Sequence, residues 1–241
     1  MTQIQVPIYA QGSCGVTHVD RGMIGWLRDE EHVRSLYDIG CGPGGQVMAA
    51  RTMGLEALGI DVDPTMYRRP GVALADFCTA PLQLQPADAV WSVETAEHIP
   101  PQHVDTYIDT LTSSARRVIV MTASQMPAEL HVSVHRPEWW IERVESRPGW
   151  SYVTDSPDLI DEHSTMEREF MRETGMIFVR DTNAPRRLLT DDELRELLSD
   201  RVVCVVAERC GLHRRTIDRL KSGESSPRAR AREALSQYLS K

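Results

Sequence analysis

The sequence predicts an α/β protein: a doubly wound, mostly parallel sheet of seven strands, followed by a small all-α domain. Three observations carry this expectation. Short apolar runs alternate with helix-patterned segments between residues 18 and 180. A glycine-rich loop, Gly40-Cys41-Gly42-Pro43-Gly44-Gly45, follows the first of those runs. Beyond residue 186 the charge turns basic and the pattern becomes helical throughout.

Each element has its own signal. Residues 18–28 place Val19, Met23, Ile24 and Leu27 at helical spacing. Leu36 and Ile39 mark a buried first strand, and residues 46–53 a helix closed by Gly54. Residues 56–61 form a second strand ending on Asp61, followed by an Asp63-Pro64 turn. A third strand over 71–77 also ends on an acid, in Asp76-Phe77. A fourth, 87–94, runs into the loop Thr95-Ala96-Glu97-His98-Ile99-Pro100. Residues 101–113 carry Val104, Tyr107, Ile108 and Leu111 at i, i+3, i+4 and i+7, so they form a helix. Strands over 117–121, 150–154 and 176–180 and helices over 138–145 and 156–170 complete the larger domain.

Composition narrows the class. The 241 residues are 41% hydrophobic, enough for a packed core, with no apolar run long enough to cross a membrane. The N-terminal stretch lacks a basic region followed by an apolar one, so no secretory signal is expected. Five scattered cysteines without a Cys-x-x-Cys pair suggest reduced thiols and a cytoplasmic location, with neither a disulfide framework nor a zinc knot. The net charge of −8 is unevenly shared: residues 1–185 hold 14 basic and 26 acidic side chains, residues 201–241 hold 10 and 4. That asymmetry suits a tail that meets a polyanion.

Strand, glycine loop and helix N-terminus together let a nucleotide approach backbone N–H groups. Gly40, Gly42 and Gly45 with Asp61 would partly fit a nicotinamide dinucleotide fingerprint. Pro43 argues against that reading, because it removes an N–H donor from a pyrophosphate-binding turn.

The form Asp38-x-Gly40-Cys41-Gly42-Pro43-Gly44 resembles motif I of the class I S-adenosylmethionine-dependent methyltransferases, over roughly residues 16–180 and most closely over 35–122. The resemblance implies a Rossmann-like methyltransferase fold, S-adenosyl-L-methionine as cofactor and a methyl acceptor that it does not identify. On it, Asp38, Gly40, Cys41, Gly42 and Gly44 hold the methionine portion and pack against the ribose. Asp61, beside Val62, binds the ribose hydroxyls, a bidentate charge-assisted pair. Asp76 and Phe77 read the adenine, and Glu94 opens a Glu-x-x-Glu-His segment found after the fourth strand in many small class I enzymes. A bare methyl transfer needs alignment more than chemistry, and a base only where the acceptor must lose a proton. His98 is the first candidate base, with Glu97 and His131 beside it; a helix cap is the alternative role for His98. Trp139 and Trp140 would wall an acceptor pocket or belong to the core. The segments of DNA-base methyltransferases are missing after strand four, and no metal-ligand spacing is apparent, so no metal is expected.

The tail has a second grammar. Ala207, Gly211, Ile217 and Leu220 resemble a repressor-type helix-turn-helix, with Ala207 at the helix crossing and Gly211 in the turn. The resemblance places Arg214, Arg215 and Arg219 against duplex DNA, with Arg228, Arg230 and Arg232 near phosphates. The expected division is a methyltransferase domain over 1–182, a linker over 183–189 and the helical domain over 190–241. Two rivals stand beside the DNA-targeted enzyme. One is a DNA-binding regulator that senses the cofactor without turnover. The other is a small-molecule methyltransferase whose tail oligomerises, for example as a homodimer.

Overall fold

A computed structural model describes residues 17–66, 69–180, 191–199, 203–210, 212, 214–223 and 235. The chain divides into two compact units, Met1–Thr182 and Asn183–Lys241.

In the first unit seven strands lie in the order β3-β2-β1-β4-β5-β7-β6. They are β1 (Ser35–Ile39), β2 (Glu56–Asp61), β3 (Val72–Leu74), β4 (Ala87–Ser92), β5 (Ala115–Met121), β6 (Trp150–Tyr152) and β7 (Met176–Arg180). Strands β1 to β5 pair in parallel, and β7 runs antiparallel to both β5 and β6. The chain winds outward from β1 to β2 and β3, then returns to place β4 on the other side of β1. This reversal opens a crevice beyond the carboxyl ends of β1 and β4, where open α/β sheets bind ligands.

Helices cover both faces: α1 (Arg21–Asp29), α2 (Gly45–Thr52), α3 (Val104–Ser114), α4 (Pro137–Glu145), α5 (Ser156–His163) and α6 (Phe170–Thr174). Alternate residues of β5 explain the two cores. Val118 and Val120 pack with Met23, Leu27, Val47 and Ile177 on one face. Ile119 and Met121 pack with Tyr107, Leu111, Trp140 and Phe178 on the other. A strand segment buried on both faces must be apolar at every position, which is why residues 118–121 of β5 read as an unbroken run after Arg116 and Arg117.

Tertiary contacts move several expected boundaries. Helix α1 starts at Arg21 rather than residue 18, because the Asp20 carboxylate caps it by accepting from Met23 N–H at 3.0 Å. The helix expected over 156–170 is two. The same Asp20 carboxylate accepts from Ser164 Oγ at 2.6 Å and from Thr165 N–H at 2.9 Å, which holds the break between α5 and α6. Strand β3 stops at Leu74, before Asp76. There the Asp76 carboxylate accepts from the N–H groups of Cys78 and Thr79, at 2.8 and 3.1 Å, and turns the chain. Residues 101–103 form a 3₁₀ turn before α3 begins at Val104.

The second unit contains α7 (Asp191–Leu198), α8 (Val203–Cys210) and α9 (Arg214–Lys221). Leu194, Leu198, Val206, Ala207, Ile217, Leu220 and Leu235 form its core. Gly211, the 224–227 turn and most of the closing helix expected over 228–239 lie outside the described residues, as do Arg228, Arg230, Arg232 and the linker. Among the described residues no helix is long and apolar enough to cross a membrane.

Candidate active site

The loop after β1 is built for close approach. Gly40, Gly42 and Gly44 hold φ of +78°, +50° and +79°. At Gly40 the need is twofold: the left-handed backbone disfavours a side chain, and a Cβ would sit 2.3 Å from Thr95 Oγ1. At Gly59 on β2 the backbone is ordinary but a Cβ would lie 2.5 Å from Cys41 Sγ, so a glycine there lets the loop rest on its neighbouring strand. Gly40 N–H donates to Ile60 C=O at 2.8 Å, and Gly44 N–H closes the turn onto Cys41 C=O at 3.0 Å. Thr17 Oγ1 accepts from Gly45 N–H at 3.0 Å, the first amide of α2.

Asp61, at the end of β2, organises this loop. Its Oδ2 accepts from Gly42 N–H at 2.7 Å and its Oδ1 from Asp63 N–H at 2.9 Å. Burial raises its pKa, and those backbone donors oppose the rise. Asp38 lies deeper. Burial, reinforced by the nearby Asp61 charge, pushes its carboxyl up to about 8. Burial also raises the Cys41 thiol, with Asp38 and Asp61 adding to the effect, so Cys41 is an inert wall and no nucleophile.

Across the crevice, Ser92 at the end of β4 donates to Ile39 C=O at 2.7 Å and pairs with the Tyr107 hydroxyl at 2.8 Å, which locks β4 to β1. The chain then strains: Glu94 has φ of +53°. Thr122 holds it, accepting from Glu94 N–H at 2.8 Å and donating to Glu94 Oε1 at 2.9 Å. A non-glycine residue kept in that region costs about 1–3 kcal/mol, and such strain gathers at functional sites. Glu97 and His98 follow on a 3₁₀ turn, Ala96–His98. Glu97 is fully buried; no N–H donor sits on its carboxyl oxygens in good geometry, and the group it meets is the Glu94 carboxyl. Burial and then the Glu94 charge push it up to about 8; the Ser124 N–H lies near enough to oppose the rise but not to form a good bond.

The loop carrying His131 is pinned to the same turn, since the N–H groups of Val132 and Ser133 both donate to Glu97 C=O at 2.9 Å. His98 Nδ1 lies 3.0 Å from Leu130 C=O and His131 Nδ1 2.6 Å from Met126 C=O. A carbonyl can only accept, so both Nδ1 atoms carry a proton. Burial lowers the pKa of His98. The two rings meet edge to face with centroids 4.9 Å apart.

These groups enclose a cavity of about 330 Å³, lined by Asp38, Gly40, Cys41, Gly42, Asp61, Val62, Phe77, Glu94, Glu97, His98 and His131 among others. The structure thus brings most of the expected site residues to one place. Gly44 and Asp76 are outside the lining; Gly44 caps α2, and Asp76 is exposed and turned onto its own chain. His98 does not cap the helix after it. Trp140 is fully buried in the core; Trp139 stacks on His135 at 3.6 Å between ring centroids and lies under Arg143, outside the cavity. Thr17, His18, Thr95 and Phe170 line the cavity without a motif to announce them. The ligand atoms of Glu97, His98 and His131 lie within 4.8 Å of one another, a set hidden in the sequence because its third member comes from a separate loop. Among the described lining residues none is Lys or Arg, while four are carboxylic acids.

Comparison with known proteins agrees with this geometry. The family model described as "Methyltransferase domain" matches residues 37–119, which span the glycine loop, Asp61, Phe77 and the Glu94–His98 turn. This part of the chain is a methyltransferase domain, and the protein is an S-adenosylmethionine-dependent methyltransferase. No curated protein matches in sequence. Among solved structures, the small RNA methyltransferase HEN1 is 14% identical with a TM-score of 0.50, over 68% of this chain and 25% of that one. The magnesium protoporphyrin IX methyltransferase of Synechocystis PCC 6803 with bound SAH is 17% identical, TM-score 0.48, over 66% and 80%. The sugar N-methyltransferase KedS8 of Streptoalloteichus sp ATCC 53650 is 14% identical, TM-score 0.49, over 66% and 84%. At these identities the HEN1 likeness speaks for the fold alone.

Proposed function

We propose that the cavity binds S-adenosylmethionine between the glycine loop and Phe77 and delivers its methyl group toward the Glu94, Glu97, His98 and His131 end. Asp61 takes the ribose hydroxyls, Asp38 and the loop from Gly40 to Gly44 take the methionine portion, and Val62 and Phe77 flank the adenine. Asp76, whose Oδ1 is engaged with its own backbone, stands beside Phe77 at the adenine end. The observation that carries this reading is the acidic lining of the cavity: the carboxyl groups of Asp38, Asp61, Glu94 and Glu97, of which Asp61 and Glu94 are the candidates for negative charge, with no Lys or Arg among the described lining residues. Such a field favours a sulfonium and disfavours a pyrophosphate. In the transfer the acceptor's lone pair attacks the methyl carbon in line with the C–S bond, whose electrons return to sulfur. The acceptor's proton leaves to the cluster at the cavity end. Calorimetry with S-adenosylmethionine and a nicotinamide dinucleotide tests the cofactor site; tighter binding of the dinucleotide overturns it. Tritiated-methyl transfer to DNA, RNA, protein and small-molecule fractions then finds the acceptor.

For the second unit we propose a helix-turn-helix that brings the enzyme to duplex DNA in the cytoplasm. Burial of Ala207, Ile217 and Leu220 supports it, as does the exposure of Arg214 and Arg219 on α9. Among the described residues Arg214 makes a loose surface ion pair with Asp218, at 3.7 Å, which leaves its charge available to phosphate. The side chain of Arg215 is outside the described residues. Dimerisation through this unit is the competing reading, and a salt-dependent DNA shift separates the two.

A further inference from the structure

A second cavity adjoins the first, and no step of the methyl transfer described above uses it. It measures about 490 Å³ and is lined by Thr17, His18, Arg21, Thr165, Glu167 and Arg168 among others. Thr17 and His18 line both cavities, so the two meet at that wall. Their charges differ in kind. The first has no Lys or Arg among its described lining residues, whereas the second has two guanidiniums against one carboxylate. Among the described residues neither guanidinium makes a hydrogen bond or an ion pair. Arg172, close by in the chain, shows the contrast: it is engaged with Asp161, Glu169 and the Ser164 carbonyl. The Arg168 charge is felt at the shared wall, where burial first and then Arg168 lower the pKa of His18.

The two arginines come from segments that the fold ties together. The Asp20 carboxylate accepts from Met23 N–H at 3.0 Å and from Thr165 N–H at 2.9 Å, and Gly22 N–H donates to Thr165 Oγ1 at 2.9 Å. Arg21 and Arg168 therefore flank one pocket although they lie far apart in the chain. S-adenosylmethionine supplies the reason for such a pocket. It carries a sulfonium, an ammonium and an α-carboxylate; an acid-lined cavity suits the first two and repels the third. The wall near the start of α2 offers that carboxylate little. Gln46 spends its amide on the backbone of Asp20, at 2.8 and 3.5 Å, and Thr17 Oγ1 already takes the Gly45 N–H.

We propose that the second cavity is an anion subsite in which Arg168 and Arg21 hold the α-carboxylate of S-adenosylmethionine, reached past Thr17 and His18. This inference rests on the S-adenosylmethionine reading of the first cavity and adds residues to it. Charge is then sorted along the cofactor, the sulfonium in the acidic cavity and the carboxylate in the basic one. Guanidiniums suit the second task, because they stay charged and meet a carboxylate with paired N–H groups. The two arginines set which ligands the site accepts and take no part in the transfer itself.

The test is calorimetry on the full chain with S-adenosylmethionine and with decarboxylated S-adenosylmethionine, which keeps the sulfonium and the amine. The wild type should bind the first at least about tenfold more tightly. Arg21→Gln with Arg168→Gln should weaken S-adenosylmethionine by about tenfold or more, the scale of a lost bond between charged groups, and leave the decarboxylated ligand within about twofold. Both side chains are exposed, so the variant should fold, and a thermal melt checks it. A wild type that binds both ligands alike overturns the proposal. Equal weakening of both ligands in the variant also overturns it, since the arginines would then only shape the wall. Unchanged affinity for S-adenosylmethionine in the variant overturns it too, and leaves the pocket to an anionic group of the acceptor. A wild type that binds neither ligand overturns the cofactor reading, and this inference with it.

Discussion

Asp61 offers the most direct check on the cofactor site, because one side chain there is assigned two separable duties. Its oxygens each accept one backbone N–H, from Gly42 at 2.7 Å and from Asp63 at 2.9 Å, and it lines the cavity. Hydrogen bonds to a charged group are worth about 1.5–3 kcal/mol each before burial of the charge is subtracted. Burial outweighs them here, since the pKa of Asp61 is raised despite the donors. The net stability lost in Asp61→Ala should therefore be only about 1–2 kcal/mol, or about 3–6 °C for a chain of this size. The ribose pair is a separate loss of about 2–3 kcal/mol, a rise in Kd of about 30–150-fold for S-adenosylmethionine. Asp61→Asn should not rescue it, because whichever oxygen becomes NH₂ would face a backbone N–H. The assay is calorimetry at a temperature well below the melting point of the variant, with thermal melts in parallel. An Asn variant with wild-type affinity and wild-type melting would refute both duties at once.

Three further outcomes are expected. Asp38, neutral in the fold up to about pH 8 and ionised when unfolded above its ordinary value of 3.8, binds an extra native proton between those limits. Stability must then fall as pH rises through that window, by at most about 1.4 kcal/mol per pH unit, and Asp38→Asn should flatten the profile; parallel melting curves for the two proteins from pH 5 to about 9 would contradict this. Gly40→Ala should lose about 2–4 kcal/mol in denaturant titrations, and removing the Thr95 side chain by Thr95→Gly should recover only the collision, leaving the cost of the φ of +78°. In the second unit, Arg214→Ala with Arg215→Ala should weaken duplex DNA binding and make its salt dependence shallower. A wild-type chain that shows no salt-dependent binding to any duplex removes the DNA reading.

Much of the larger unit was legible because its signals are local. The strand-loop-helix at residues 36–53 declares itself through apolar residues, then glycines, then a helical pattern, and the structure places the elements within two residues of those bounds. Strands β2 and β7 fall where their apolar runs predict them. The end of β3 has a local cause, the turn that the Asp76 carboxylate makes with the N–H groups of Cys78 and Thr79. One of the misses comes from a side chain that acts at a distance. Asp20 ends one element and caps another 144 residues away, through Ser164. Trp139 and Trp140 show the same limit: their helical spacing was plain, but which of them meets the core depends on how α4 lies against β6 and β7.

The sequence by itself determined the α/β class, the glycine loop and its acids, and the basic charge of the tail, because periodicity, φ-permissive residues and net charge are properties of neighbours in the chain. Only the tertiary structure decided what those residues surround. It buried Asp38 and Glu97, brought the Glu97 carboxyl against that of Glu94, and set His131 beside His98 by hanging its loop on the Glu97 backbone. Burial and the meeting of distant side chains depend on packing between elements, and no local pattern encodes them.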